Sequence, residues 1–279
     1  VVLSSLQRKL MYHPSTAPTL SVAKNRTILH RFPAAADVET ESSGGAIIRG
    51  WWLRQHQTSA PLRPLVLLFH GNAGHRGGRQ GWYELLDSIG CDILAIDYQG
   101  YGDSEGVPSQ SAVESDAVAA WKLASTELGY RHRDIVVMGI SLGGAAAVHV
   151  TSLQSQTGQP PAGLVTVATF SSMLEVARSY YPWFPVRAVL QDHYPSSERM
   201  RHVSAPLLHF HGDRDRVVKP KFGRRLFAEA PPESSCGVPR RWVTMAGTGH
   251  NDILLKSREI VLNELNEFVA SVADVPAER

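Results

Sequence analysis

The chain has 279 residues, 43% of them hydrophobic and 19% charged, with a formal net charge of +2. Such a length and balance fit a single globular domain over 1–279 that buries its own core, and the even spread of Lys and Arg excludes the basic tract of a nucleic-acid binder. No apolar run is long enough to span a bilayer, and two cysteines, Cys91 and Cys236, make neither a disulfide scaffold nor a Cys-rich metal site.

In chain order, the first feature is the opening Val1-Val2-Leu3 ahead of Arg8 and Lys9. It reads either as the tail of a removed signal peptide or anchor or as an ordinary first helical turn. On the first reading the expectation is a soluble domain that is exported or associates peripherally with a membrane. Ile47, Ile48, Trp51 and Trp52, set among Gly44-Gly45 and Gly50, predict an antiparallel hairpin at a sheet edge. Six short apolar runs follow: 65–69, 93–96, 135–138, 164–167, 207–210 and 242–245. Each lacks polar alternation, which predicts strands buried on both faces. Between them lie helical patterns over 113–128, 142–153 and 253–272. The alternation predicts an α/β fold with a mostly parallel central sheet and helices on both faces. One stretch, 170–204, breaks the alternation and is rich in aromatics and prolines, including Tyr180, Tyr181, Pro182, Trp183, Phe184 and Pro185. It reads as a short lid insertion.

Four loops carry residues suited to chemistry. His70-Gly71-Asn72-Ala73-Gly74 follows the 65–69 strand, and its glycines let backbone N–H groups face a developing oxyanion; the N–H of Asn72 or of Ala73 would serve. Gly139-Ile140-Ser141-Leu142-Gly143-Gly144 sits between a strand and an Ala-rich helix. A turn that tight leaves room only for hydrogen beside the serine, exposes Oγ, and supplies the N–H of Leu142 as a second oxyanion donor. His211-Gly212-Asp213-Arg214-Asp215 offers two carboxylates that could orient a histidine, and the residues alone do not choose between them. Gly247-Thr248-Gly249-His250 ends the last strand and would place an imidazole over the serine, giving the chain order Ser, Asp, His.

With these motifs in place, the chain resembles the α/β-hydrolase superfamily over nearly its whole length. Within it, the chain looks like the small serine hydrolases with an N-terminal L-x-Y-x-P segment, a group that includes depalmitoylase-like and lysophospholipase-like proteins. The segment here is Leu10-Met11-Tyr12-His13-Pro14, and further matches are Asp97–Ser104, Tyr181–Pro185 and Gly212-x-x-Asp215-x-Val217. The resemblance implies Ser141 as nucleophile, His250 as proton carrier and Asp215 as the acid that holds it. It implies a small-molecule acyl ester or thioester as substrate, no metal or organic cofactor, and an acyl pocket lined by Tyr180, Tyr181, Trp183 and Phe184. The Asp97–Ser104 loop is expected to brace the oxyanion loop. The sequence departs from the family at Gln99, where Arg is usual, and at His75-Arg76-Gly77-Gly78, which reads as a solvated turn or as a site for a substrate carboxylate or phosphate. Two other readings stand beside esterase: a serine peptidase or amidase, with Glu175 and Asp192 as candidate partners for an amine, and a non-catalytic binding protein.

Overall fold

Uninterrupted apolar runs such as Leu65-Val66-Leu67-Leu68-Phe69 have no side to give to water, so they can only lie inside a sheet covered twice. The computed structural model describes residues 2–56 and 63–273 and has that architecture. Eight strands form the main sheet: β1 (Ala36–Glu41), β2 (Ile47–Leu53), β3 (Leu65–Phe69), β4 (Asp92–Ile96), β5 (Ile135–Ile140), β6 (Gly163–Val167), β7 (Leu207–Gly212) and β8 (Arg241–Met245). Their spatial order is β8-β7-β6-β5-β3-β4-β2-β1. The pairs among β3 to β8 are parallel; β2 runs antiparallel to both β1 and β4. The edge hairpin expected from the tryptophans is β1–β2, turned at Gly44 and Gly45, both with positive φ.

The pleat sends alternate residues of β3 to opposite layers. Leu65, Leu67 and Phe69 meet α3 (Gln110–Lys122) and α4 (Leu142–Gln156) through Ala117, Trp121, Ala146 and Val150. Val66 and Leu68 meet α2 (Gln80–Ser88) and α6 (Arg258–Ala273) through Leu85, Leu86, Leu265 and Phe268. Helix α1 (Val2–Met11) precedes the sheet; Val1 lies outside the described residues. Two predicted helices differ in detail. The helix over 113–128 becomes α3 followed by a π-helical turn, Leu123–Glu127. The helix over 253–272 is broken at buried Ser257, whose hydroxyl bonds Thr248 Oγ1 at 2.7 Å and so leaves the helical run to fasten the preceding loop. The 170–204 segment carries α5 (Met173–Tyr180) and two short turns, Val186–Val189 and Ser196–Met200, before β7 begins.

The basic stretch after the oxyanion loop is neither a solvated turn nor an open anion site. Arg76 is buried, and its guanidinium donates to Asp97 Oδ2 at 2.5 Å, to Asp103 Oδ1 at 2.7 Å and to the Leu20 carbonyl at 2.8 Å. Its backbone N–H donates to Asp97 Oδ1 at 2.6 Å, and His75 caps the turn by accepting from the Gly77 N–H. Burial alone would raise the Asp97 carboxyl, but His70 and Arg76 outweigh it and hold the group below the usual carboxylate range. Asp103 is likewise raised by burial and brought lower by Arg76. The sequence reading failed here because the two counter-charges sit one strand away in the Asp97–Ser104 loop.

Removing one member of such a pair strands a buried charge. Arg76→Met should therefore cost about 3–5 kcal/mol in urea unfolding, while Arg131→Met, which breaks the surface pair with Asp134, should leave the midpoint near wild type.

Candidate active site

The site begins where β5 turns into α4. Ser141 has φ 54° and ψ −116°, a conformation that side chains avoid. It is held there from both sides: its N–H donates to the Val167 carbonyl at 2.8 Å and its carbonyl accepts from Thr169 Oγ1 at 2.7 Å. The neighbouring glycines are required by close approach. A Cβ on Gly139 would lie 2.2 Å from the Gly143 carbonyl oxygen, and one on Gly143 would lie 2.1 Å from that of Phe69. With its backbone fixed, Ser141 directs Oγ away from the sheet.

His250 arrives from the loop after β8, with Nε2 3.0 Å from Ser141 Oγ. Asp252, at the head of the following turn, accepts the Gly249 N–H at 2.6 Å and so shapes that loop. The other imidazole nitrogen, Nδ1, is 2.7 Å from Asp215 Oδ2. A carboxylate only accepts, so Nδ1 carries the proton and Nε2 is left free to take one from the serine. Asp215 is buried, and its second oxygen accepts the N–H groups of Val217 and Val218, each at 2.8 Å. Asp213 is exposed and accepts the Gly247 N–H at 2.8 Å, stitching the acid loop to the histidine loop without touching the imidazole. Of the two carboxylates left open by sequence, Asp215 is the one against His250.

The oxyanion-loop candidates lie on the other side of the serine. A Cβ on Gly71 would be 3.6 Å from Ser141 Cβ, so the chain leading to Asn72 and Ala73 passes beside the hydroxyl, while Leu142 opens α4. The Asp97–Ser104 loop braces this chain: Tyr98 donates to the His70 carbonyl and Tyr101 to the Asn72 carbonyl, both at 2.9 Å. Gln99 is buried against Asp116, to which its backbone and side-chain nitrogens donate at 2.8 and 2.9 Å.

The four lid aromatics are placed differently from a closed pocket wall. Tyr180, Tyr181, Trp183 and Phe184 are 47%, 59%, 91% and 52% exposed. Only Tyr180 is fixed toward the site, donating to the Arg216 and Val217 carbonyls at 2.5 and 2.9 Å.

Behind the acid lies a buried chain that the sequence reading missed. His211 Nε2 is 2.8 Å from the Val218 carbonyl and 3.6 Å from Asp215 Oδ2. Both are acceptors, so Nε2 is protonated and Nδ1 accepts from His209 Nε2 at 3.1 Å. His209 Nδ1 in turn accepts from Thr166 Oγ1 at 2.7 Å. Both imidazoles are therefore neutral, and Trp242 stacks on them. Burial lowers both below the ordinary imidazole value; for His209 the second imidazole and Arg224 add to it, and for His211 burial outweighs the opposing pull of Val218 and Asp215. Two histidines at i and i+2 in an otherwise apolar strand share one face, which was the available signal.

Comparison with known proteins places this geometry in context. The sequence profile described as serine aminopeptidase, S33 matches residues 60–196. An uncharacterised Mycobacterium tuberculosis protein is 36% identical over 269 residues, 96% of this chain and 89% of that one. The lysophosphatidylserine lipases of Danio rerio and Rattus norvegicus are 30% and 32% identical over 76% and 63% of this chain; the chain spans 57% and 48% of their lengths. Among solved structures, a Pyrococcus furiosus esterase shares the fold with a TM-score of 0.67 at 17% identity, over 94% of this chain and 98% of that one. An α/β-hydrolase from Vibrio vulnificus gives 0.68 at 16%, over 92% and 96%.

The neutral histidine pair has a measurable consequence. Below about pH 6.5 the unfolded chain binds protons at these residues and the folded chain does not, so stability is full above that pH and falls as the pH drops. His209, the one held well below the ordinary imidazole value, should add up to about 1.4 kcal/mol per pH unit to the slope of unfolding free energy just below about pH 6, with His211 adding in the same direction. His209→Gln should flatten that slope in pH-resolved urea unfolding, and an unchanged slope would remove the assignment.

Proposed function

Because the chain belongs to the α/β-hydrolase superfamily, we propose that it is a serine hydrolase cleaving carboxylic ester or thioester bonds through an acyl-enzyme on Ser141. The observation that supports this most is the unbroken line from Ser141 Oγ to His250 Nε2 at 3.0 Å and from His250 Nδ1 to Asp215 at 2.7 Å. Ser141 Oγ attacks the substrate carbonyl carbon while its proton passes to His250 Nε2, and the carbonyl π electrons move to oxygen. The resulting oxyanion is held by the N–H of Leu142 and that of Asn72 or Ala73, a type of contact worth about 3–4 kcal/mol per donor. Collapse expels the alcohol or thiol, which takes the proton from His250. Water then attacks the acyl carbon while giving a proton to His250 Nε2, and collapse breaks the bond to Ser141 Oγ, which takes that proton back as the acid leaves. Asp215, buried and already saturated on one oxygen, keeps the imidazole in the tautomer that both steps need.

The named relatives direct the choice of substrate. They are lysophosphatidylserine lipases, so an acyl ester of a lysophospholipid is the first class to try. The aminopeptidase profile favours a second reading, cleavage at an amine-bearing substrate. That reading asks for a carboxylate free to meet an ammonium. Glu175 pairs instead with Arg225 and Ser171, and Asp192 accepts from Tyr12 at 3.0 Å and faces Arg8 at 3.5 Å. Neither acid proposed from sequence is available, which weighs toward the ester.

A fluorophosphonate probe should label the wild type and not Ser141→Ala; an unlabelled wild type would instead favour a binding protein. Asp215→Asn should lower kcat by about 10⁴-fold on a soluble acyl ester, with Asp213→Asn near wild type. A panel of acyl esters, acyl thioesters and aminoacyl amides of graded length should show turnover of the first two; turnover confined to the amides would overturn the ester reading.

A further inference from the structure

We propose that the tip of the segment between β6 and β7 docks the protein on an anionic phospholipid surface. The inference goes beyond the hydrolase reading and stands without it. Residues 181–185, Tyr-Pro-Trp-Phe-Pro, are all exposed, so the tip projects its rings into solvent. Trp183 at 91% exposure gains nothing from its own fold. An indole or phenol ring with one apolar body and one polar edge is most stable at the boundary between headgroups and acyl chains. A deformable lipid surface receives a projecting aromatic tip of any outline, whereas a protein partner would have to supply a matching cavity.

Charge selects the kind of lipid. From Val176 to Gln191 the segment has no acidic residue and two exposed arginines, Arg178 and Arg187. The neighbouring acid loop adds exposed Arg214, Arg216 and Lys221. Glu175, just before the first stretch, pairs with Arg225, and on the second Asp215 is buried against His250, so exposed Asp213 is the one acid set against the exposed cations of these two stretches. The two stretches form one surface, because the Tyr180 hydroxyl bonds the Arg216 and Val217 carbonyls and Lys219 Nζ lies 5.5 Å from the Tyr180 ring. The chain as a whole carries only +2, so this excess of cations is local. Cations beside exposed aromatics are complementary to the negative surface potential of a membrane rich in anionic lipid. Among the described residues no helix is long and apolar enough to cross a membrane, and the contact proposed is a peripheral one made by the tip. It would bring the loop that carries Asp215 against the lipid.

The test is flotation of the 279-residue chain with vesicles of phosphatidylcholine alone and of phosphatidylcholine with about one-third phosphatidylserine. The wild type should partition to the anionic vesicles at least about tenfold more strongly, and less so as salt is raised. Trp183→Ala and the pair Arg187→Gln with Lys221→Gln should each lose most of that binding while keeping the wild-type melting temperature, since all three side chains are exposed. Brominated phospholipid in anionic vesicles should quench tryptophan emission in the wild type more than in Trp183→Ala. Ser141→Ala should float like the wild type, so loss of hydrolysis and loss of docking are read separately. Equal binding to both vesicle types, or full binding by Trp183→Ala, would overturn the proposal. So would self-association or capture of a protein that depends on Trp183 without any vesicle binding.

Discussion

A carboxylate with no access to water must have its negative charge matched by donors from the chain, and Asp215 meets that demand in a way that builds the site. One oxygen takes two backbone N–H groups of its own loop and the other takes the His250 ring. The first pair fixes where the acid stands; the second fixes which nitrogen of the histidine keeps a proton. Because a buried unmatched carboxylate costs several kcal/mol, the loop after β7 and the loop after β8 are held in register by the same charge. The Asp213 side chain and the Arg214 N–H add bonds between them that do not involve the imidazole. The geometry at Ser141 thus follows from a local electrostatic requirement as much as from the sheet beneath it.

The same logic operates on the other side of the serine. Asp97 is buried at the end of β4 and is matched by Arg76 and His70, which flank the oxyanion loop. The Ser141 backbone sits in an unfavourable region that costs of order 1–3 kcal/mol, and it persists because β6 and β3 leave no alternative. Val167 and Thr169 bond it, and the Phe69 carbonyl is too near Gly143 to allow any larger residue. Two buried carboxylates, one on each side, hold the loops that surround a strained residue. Rigidity here is a property of the loops' charges rather than of their length.

The parts of this arrangement that could be read in the sequence are those set by local pattern. Apolar runs without alternation become β3 to β7, and the glycines around Ser141 announce a turn that admits no side chain. Asp215 needed the family comparison, because Asp213 is chemically equivalent until the fold shows which one faces the imidazole. Arg76 was misread because its counter-charges, Asp97 and Asp103, are close only after β4 lies beside β3. Ser257 breaks a periodic helix through a hydroxyl contact nine residues back, which periodicity cannot register. Tyr180, Tyr181, Trp183 and Phe184 were expected to line an acyl pocket, but proline at 182 and 185 keeps that short stretch out of helix and leaves the rings facing solvent.

The N-terminal segment gives the L-x-Y-x-P pattern a physical meaning. His13 and Pro14 pair in parallel with Ala73 and Gly74, and the His13 N–H donates to the Asn72 carbonyl at 2.9 Å. Asn72 returns a bond from its side chain to the Met11 carbonyl. One residue earlier, Tyr12 turns inward, meeting Asp192 at 3.0 Å and Tyr194 at 2.7 Å at the far end of the lid segment. Burial raises the Tyr12 phenol, so it stays a neutral donor. Alternation along an extended chain therefore lets adjacent residues serve two loops: the backbone at 13 holds the 70–74 loop and the side chain at 12 holds the far end of the 170–204 segment. Pro14 removes a donor and fixes the extended path that makes this possible. Leu10, 69% exposed, takes no part in it, and nothing in the structure explains its place in the pattern. The 170–204 segment is thus tied by Tyr12 at one end and by Tyr180 to the loop that carries Asp215, while the five residues between Tyr180 and Val186 have no such tie among the side-chain bonds of the described residues. That is the distribution of constraint expected of a segment whose ends serve the site and whose tip serves something outside the molecule.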